Sequence, residues 1–201
     1  MRSRFLRQLR QDNRAITAVE FAIICPVMLV MMMGLAELTM QSYLQSILTG
    51  AVQKASRDST LEGNNTPLAN TTVDNKVMTA VGKVLANLTW DTPSRVNYSH
   101  FADIGPEYYF DSNNNGVYDS ATECYLDSNN NGVWDANPGA TGQGTANAVV
   151  VYQMGFTYNR LFPIYQMIGW PATQHLTAKT TVKNQPYRTT ATSDNVKKCP
   201  S

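Results

Sequence analysis

The sequence has no motif typical of an enzyme active site. The patterns H-E-x-x-H, G-x-S-x-G and G-x-G-x-x-G and the phosphate-binding P-loop do not occur, and the two histidines, His100 and His175, are isolated. Paired carboxylates do occur, but their Asn-rich spacing favours cation ligation over acid–base chemistry. We therefore expect no enzymatic activity, and we expect both histidines to be surface or core residues rather than ligands.

Positive charge is missing from the centre of the chain. No Lys or Arg occurs between Arg95 and Arg160, whereas residues 1–15 contain five Arg and one Asp. The formal net charge of +1 combines this basic head with an acidic centre, and a total so close to zero argues against a nucleic-acid partner. Disorder is excluded as well, because 10 Tyr, 6 Phe and 3 Trp supply a core that disordered chains lack.

An uncharged apolar run follows the basic head at residues 21–36 (FAIICPVMLVMMMGLA). Extended to residues 15–38, it reaches the ~20 residues that a helix needs to cross a bilayer, provided that Glu20 and Glu37 are tolerated. Arg residues before the run and none soon after it predict a cytoplasmic N-terminus and an exported remainder. A signal peptide is disfavoured because no small-residue cleavage site follows, and a buried core helix is disfavoured by the preceding Arg residues.

Apolar spacing beyond the run predicts an α+β architecture. Residues 16–57 are predicted to form one transmembrane and continuing amphipathic helix, followed by a turn-rich linker at 58–72. A second amphipathic helix is predicted from Val73 to Leu88, with Thr71 or Thr72 as its N-cap. The predicted domains are a basic cytoplasmic leader at 1–15, the helix at 16–57 and an exported α+β domain at 58–201.

The second half of the chain predicts a small antiparallel sheet. Residues 148–158 (AVVVYQMGFTY) are the strongest strand candidate, because they are dense in β-branched and aromatic residues. Further strands are predicted at residues 96–104, 108–110 and 176–182. Residues 162–170 are expected to form a short helix or loop that covers the sheet.

Glu20 lies near the front of the apolar run, where a charge costs about 2.5–3.5 kcal/mol unless it has a partner or reaches the solvated interface. The surrounding segment, residues 14–22 (RAITAVEFA), is followed by Pro26, Gly34 and Glu37. Together these resemble the N-terminus of TadE-like pilins, the minor pilins of the tight-adherence (Tad) pilus. The resemblance implies that the protein is a structural pilus component.

The resemblance also implies a processing site. A prepilin peptidase at the inner membrane would cut between Ala15 and Ile16, which makes Glu20 and Phe21 the fifth and sixth mature residues. Ala15 stands where the family usually has Gly. The new α-amino group would then pair with Glu20 of a neighbouring subunit, so that two groups costly in lipid become tolerable upon assembly.

Two nearly identical acidic segments lie in the centre of the chain. Residues 111–119 (DSNNNGVYD) and 127–135 (DSNNNGVWD) share eight of nine positions at a spacing of sixteen. Oxygen side chains at positions one, three, five and nine, with Gly at six, match the first part of an EF-hand-type calcium loop, in which residue seven offers its carbonyl. The predicted calcium ligands are Asp111, Asn113, Asn115, the Val117 carbonyl and Asp119, and then Asp127, Asn129, Asn131, the Val133 carbonyl and Asp135.

The match to a calcium loop ends at position twelve. The bidentate Glu of an EF-hand is replaced by Thr122 and Pro138, and Glu123 stands one residue late. Two carboxylates per loop predict an affinity on the order of 10⁻⁴–10⁻³ M, and a metal-free pair of Asn-Gly turns is the alternative. Residues 127–152 are also similar to a D-x-N-x-N-G-x-W-D stretch that precedes a Gly-rich piece and a V-V-V-Y strand in TadE-like sequences, and 184–187 (NQPY) are similar in part to their N-E-P-F-like end.

The three cysteines divide between two environments. Cys25 lies in the apolar run and is expected to act as a small hydrophobic residue. Cys124 and Cys199 remain as an even pair in an oxidising compartment, which predicts a disulfide between them. A free thiol on a frayed C-terminal tail is the alternative.

Two functional hypotheses follow. The first is a minor pilin that takes part in initiation or at the tip of an adhesive pilus. Its implied partners are other pilin subunits, the pilus assembly platform, a prepilin peptidase and the bacterial inner membrane, with the C-terminal domain periplasmic or, after assembly, extracellular. The second is an uncleaved, membrane-anchored periplasmic module for calcium binding or adhesion that does not polymerise. The two differ in whether the cut at Ala15–Ile16 and the carboxylate of Glu20 are needed.

Overall fold

The computed structural model describes residues 14–61, 67–186 and 195–200. It confirms the α+β class: a long apolar N-terminal helix precedes a mixed domain with antiparallel sheets. Contacts divide the chain into two compact units. Of the described residues, the first unit contains 14–43 and 159–174, and the second contains 44–61, 67–158, 175–186 and 195–200.

Helix α1 runs without interruption from Arg14 to Ser59 and includes Pro26. It extends two residues beyond the predicted end at Arg57. An 18-residue window in its apolar part has a mean hydropathy of 2.3, and no residue of that window is buried. The helix is long enough and apolar enough to cross a membrane. A run of exposed apolar side chains this long on one helix is typical of a lipid-facing segment rather than of a soluble surface.

Helix α2 runs from Pro67 to Gly82, so it includes residues 67–72 of the predicted linker, and the predicted N-cap at Thr71 or Thr72 was wrong. Proline is favourable in the first turn of a helix, where its missing N–H has no partner to lose, and Pro67 therefore starts α2 inside the predicted linker. Thr71 and Thr72 lie within the helix rather than at its cap. The helix also ends six residues before the predicted end at Leu88, at Gly82.

The main sheet is built around one long strand, β5 (Val149–Asn159), as the residue composition predicted. The short strands β1 (Thr89–Trp90) and β2 (Ser94–Tyr98) pair antiparallel with successive parts of β5, with Trp90 opposite Phe156 and Val96 opposite Val151. Strand β4 (Ala140–Thr141) adds to β2, and β6 (Thr173–Lys183) pairs with β5. The predicted strand at 96–104 is therefore shorter, and a 3₁₀ helix at Phe101–Asp103 replaces its second half.

The core of the second unit lies between the two helices and this sheet. Side chains at helical spacing are buried on α1 (Leu44, Leu48, Val52) and on α2 (Val73, Val77, Val81). Nearly every residue of β5, which pairs with β1, β2 and β6, is buried. A buried ion pair fixes the contact: Arg95 on β2 donates two hydrogen bonds to Asp74 on α2, and the hydroxyl of Tyr152 donates a third at 2.6 Å.

A second, two-stranded sheet holds the C-terminal end. Strand β3 (Tyr125–Asp127) pairs antiparallel with β7 (Val196–Lys198). Cys124 and Cys199 are the next residues opposite each other in this register, and they form the predicted disulfide. The strand predicted at 108–110 was wrong: only an isolated bridge from Tyr109 to Tyr125 forms there. The segment predicted at 162–170 forms helix α3 (Tyr165–Ile168) and contacts α1.

Candidate functional site

Each acidic segment folds around the aspartate at its first position. In the first loop, Asp111 accepts hydrogen bonds from the backbone N–H groups of Asn115 (3.2 Å) and Gly116 (2.9 Å). The second loop repeats both bonds at 3.2 and 2.8 Å, from Asn131 and Gly132 to Asp127. The two copies therefore share one backbone conformation as well as one sequence.

Glycine at position six is required by that conformation. Gly116 has a φ of +75° and Gly132 a φ of +79°, in the left-handed region that disfavours a Cβ. Asparagine tolerates this region better than most residues, and Asn114 and Asn130 occupy it at +56° and +58°. The tight turn is thus encoded by the N-N-G order in both loops.

The side chains at positions three, five and nine converge. In the first loop, the amide groups of Asn113 and Asn115 donate to Asp119 at 2.7 and 3.0 Å, while their oxygens accept backbone N–H bonds from Asn115 and Val117. The second loop repeats this arrangement, with Asn129 and Asn131 donating to Asp135 at 2.8 and 2.6 Å. The structure therefore brings together the predicted side-chain ligands of each loop.

Two glutamates outside the loops hold the ends of each loop together. Glu123 accepts the N–H groups of Ser112 (2.9 Å) and Asp119 (3.1 Å), which are positions two and nine of the first loop. Glu107 accepts the equivalent N–H groups of Ser128 (2.8 Å) and Asp135 (2.9 Å) in the second loop. Glu123 thus binds the first loop, although it lies one residue after position twelve, where an EF-hand has its bidentate glutamate.

Glu107 was missed as a site residue, although the sequence contains a signal for it. Glu107 precedes Asp111 by four residues, and Glu123 precedes Asp127 by four, so the repeat spans 107–119 and 123–135. The structure uses this longer repeat crosswise, because the glutamate of each copy binds the loop of the other. Local spacing alone cannot show this exchange.

The backbone of the two copies is related by an approximate two-fold axis. Tyr109 and Tyr125, which are equivalent positions, form a bridge with each other. The N–H of Phe110 donates to the carbonyl of Cys124, and the equivalent N–H of Leu126 donates to the carbonyl of Tyr108, both at 2.8 Å. Reciprocal bonds between equivalent residues are what a two-fold relation requires. We call residues 107–135 the twin-loop module.

Aromatic side chains fill the axis of the twin-loop module. Tyr118 and Trp134 occupy equivalent positions and stack with ring centroids 5.0 Å apart. Each ring also packs edge-on against a tyrosine of the opposite copy: Trp134 against Tyr109 and Tyr118 against Tyr125. Such contacts contribute beyond buried area and fix the relative position of the loops.

The module concentrates negative charge, and the ammonium of Lys197 lies 4.3 Å from the centroid of its Phe110 ring. Glu123 and Asp127 are fully buried, and Glu107 is 4% exposed. Among the residues that the structure describes, no Lys, Arg or His nitrogen forms an ion pair with them or with Asp111, Asp119 or Asp135. Burying carboxylates is costly unless their charge is compensated.

The tyrosines of the module respond to this charge. Desolvation raises the pKa of Tyr109 above 10, and the carboxylates of Asp111, Glu123 and Asp119 raise it further. The pKa values of Tyr118 and Tyr125 are raised for the same two reasons, desolvation first. These phenols therefore stay protonated and neutral beside the acidic groups at physiological pH.

The predicted metal ligands of both loops are all oxygen atoms. In the part of the chain that the structure describes, no three His, Cys, Asp or Glu side chains are grouped to hold a metal ion. Each loop has two carboxylates, and its other predicted ligands are amide and carbonyl oxygens, which suit a hard cation such as Ca²⁺ rather than a transition metal. The ligand assignment stays a prediction.

The predicted processing residues lie at the start of α1. Ile16 and Phe21 are exposed, at 55% and 66%, and Glu20 is exposed between them. Ala15 belongs to the same helix. The leader residues 1–13 lie outside the described residues.

Comparison with known proteins gives one match. Residues 15–57 match the TadE-like protein family, which confirms the resemblance inferred from the N-terminal segment. The match covers most of α1 and ends before the twin-loop module. Neither the curated proteins nor the solved structures contain a match to the chain.

Proposed function

We propose that this chain, which has a TadE-like domain at residues 15–57, is a minor pilin that takes part in the initiation or the tip of a Tad-type adhesive pilus. The family match indicates a pilin-like protein associated with the Tad pilus, and this family is generally non-enzymatic. The observation that carries the proposal is the coincidence of that match with an exposed, uninterrupted apolar helix. Such a helix is stable only in lipid or packed against other apolar helices.

The proposed processing site is the bond between Ala15 and Ile16. Removal of the basic leader leaves an α-amino group close to the exposed Glu20, on the same helix. Pairing between this group and Glu20 of the next subunit gives the polymer a register, because either charge is costly in lipid alone. The partners are other pilin subunits, the assembly platform, the prepilin peptidase and the inner membrane.

Substitution of Glu20 tests this part of the proposal. Glu20→Ala is expected to abolish pili while the protein remains in the membrane, and Thr17→Ala, an exposed polar position one turn earlier, is expected to leave pili intact. Normal pili with Glu20→Ala support instead the uncleaved membrane-anchored module that does not polymerise. Mass spectrometry of the native protein checks the cut separately, and an N-terminus at Met1 contradicts it.

We further propose that each loop of the twin-loop module binds a calcium ion. Support comes from the six carboxylates of the module, three of them almost fully buried, that have no ion pair among the described residues. The ligands are the side-chain oxygens at positions one, three, five and nine and the carbonyl of Val117 or Val133. The cation compensates the buried charge and locks the two copies together.

Titration of the full-length protein in detergent tests the calcium proposal. Calcium at millimolar concentration is expected to raise the unfolding temperature, and magnesium to do so less, because it demands a tighter octahedral shell. Asp111→Asn with Asp127→Asn is expected to remove the calcium effect. Asp91→Asn, a carboxylate paired with His175 outside the module, is the matched control. An unchanged unfolding temperature at saturating calcium contradicts the proposal.

A further inference from the structure

The first unit contains a buried ion pair that the sequence did not predict. Glu37 on α1 has no exposed surface, and its carboxylate lies 3.6 Å from the guanidinium of Arg160, whose side chain is 6% exposed. The N–H of Leu161 donates to the same carboxylate at 3.2 Å. The connection between β5 and β6 therefore supplies both the counter-charge and a hydrogen bond for the second carboxylate of the apolar helix.

The contact places this connection at a defined level of α1. Ile164 of the connection is buried, and its Cδ1 lies 3.8 Å from where a Cβ on Gly34 would stand. At about 1.5 Å per residue, Glu37 lies roughly 24–32 Å along the helix from Phe21 or Ile16, close to the ~30 Å thickness of the hydrocarbon core. The connection thus contacts α1 where a spanning helix leaves the bilayer.

The outer surface of the connection carries no charged side chain beyond Arg160 and is mostly apolar, with Gln166 as an exposed polar residue. From Leu161 to Ala178 the sequence has no Lys, Arg, Asp or Glu. Met167 is 72% exposed, and Leu161, Ile168 and Trp170 are exposed as well. Water-exposed side chains of this kind, grouped in one short segment, are uncommon on a soluble surface.

The one charge of the connection is turned inward. Arg160 donates to the carbonyl of Pro171 at 3.0 Å and to the side chain of Gln174, and it lies over the ring of Trp170 at 4.8 Å. These contacts close the connection into a loop with the guanidinium of Arg160 inside. Trp170 and the half-buried Tyr165 are of the type enriched at membrane interfaces, where one end of the ring is apolar and the other wet.

We propose that residues 160–172 form a second membrane-contacting element, which lies in the interfacial layer of the lipid bilayer beside α1. The inference rests on the proposed membrane insertion of α1. Lipid is favoured over another protein as the occupant because the contact with Gly34 and Glu37 fixes the depth of the segment at the bilayer surface. Most of its exposed side chains are apolar, and Tyr165 and Trp170 are of the residue types that are enriched at membrane interfaces.

Site-specific fluorescence on the full chain tests the proposal. In a Cys25→Ser background the other two cysteines are joined in a disulfide, so one introduced cysteine takes the label. An environment-sensitive dye is attached at Met167→Cys, at Leu29→Cys in the apolar helix, or at Phe101→Cys, an exposed apolar residue of the second unit. The protein is reconstituted in vesicles of phosphatidylethanolamine and phosphatidylglycerol, with quenchers either on the lipid acyl chains or as aqueous iodide.

The expected result is that lipid quenchers reduce the fluorescence at Met167→Cys at least half as strongly as at Leu29→Cys, while iodide quenches only Phe101→Cys. Quenching of the Met167→Cys label by iodide alone, with Leu29→Cys still quenched by lipid, overturns this inference and leaves the membrane helix intact. Protection from both quenchers overturns it too, because another protein chain then covers the segment. Loss of lipid quenching at Leu29→Cys overturns the membrane insertion itself.

Discussion

Glu107 and Glu123 occupy equivalent positions of a repeat, and each accepts two backbone N–H groups from the loop of the other copy. Neither loop is complete within its own copy, so the two must fold as one unit. A carboxylate that bridges positions two and nine holds the ends of the loop at a fixed distance. The loops are therefore coupled whether or not a cation is bound.

Exchange of either glutamate for glutamine tests this crosswise coupling. Glu107→Gln is expected to perturb the second loop and Glu123→Gln the first, because an amide offers one acceptor and leaves a buried N–H without a partner, a loss of about 1–3 kcal/mol. The backbone amide signals of Gly116 and Gly132 in NMR spectra report the two loops separately. Each variant is the control for the other, and perturbation confined to a variant's own copy refutes the exchange.

We expect substitutions of Glu37 and Arg160 to have non-additive effects on the free energy of unfolding. Arg160→Met leaves a buried carboxylate without compensation and is expected to cost about 3–5 kcal/mol, whereas Glu37→Gln with Arg160→Met together cost much less, because no charge is then buried. Unfolding by heat in detergent measures both. A loss in the double variant that equals the sum of the losses in Glu37→Gln and Arg160→Met alone means that the two charges do not interact.

Because of the hydroxyl of Tyr152, we expect the free energy of unfolding to fall at alkaline pH. Desolvation and its hydrogen bond to Asp74 raise the pKa of Tyr152 far above 10 in the folded chain. The unfolded chain loses this proton first, at about pH 10, so the stabilisation is fully present below that pH and declines above it. Urea unfolding midpoints between pH 8 and pH 11 are expected to fall less in Tyr152→Phe than in the wild-type chain. At neutral pH the variant should lose about 1.5–3 kcal/mol.

We expect the disulfide between Cys124 and Cys199 to be needed for strand β7 to stay paired with β3. Cys124→Ser with Cys199→Ser removes a link across 75 residues and is expected to cost about 2–4 kcal/mol. The pairing of β3 with β7 has only three residue pairs and is expected to open in this variant. Limited proteolysis detects the release, with Cys25→Ser as the control. A C-terminal end that remains protected shows that β7 holds without the covalent link.

The main errors of the sequence interpretation lie at Pro67 and around Tyr109. Thr71 and Thr72 suit an N-cap, but Pro67 suits a first turn equally well, and the helix both begins and ends six residues earlier than predicted. Tyr109 has strand propensity, yet its ring packs in the aromatic cluster of the twin-loop module and only one bridge forms. At Tyr109 tertiary packing overrides local preference, whereas at Pro67 one local signal outweighs another.

Period and composition predicted a long helix at 16–57, which the structure has at Arg14–Ser59, and a central strand at 148–158, which it has at Val149–Asn159. The sequence also predicted both turn-forming loops and, once Cys25 was assigned to the apolar run, the pairing of Cys124 with Cys199. The helix, the strand and the loops each depend on a local sequence pattern, and the disulfide was predicted because only two cysteines lie outside the apolar run. Only the tertiary structure decided that Arg160 compensates Glu37 and that Glu107 serves the loop of the other copy. Both relations join residues far apart in sequence, and no local propensity specifies which buried charge or N–H group a distant side chain will meet.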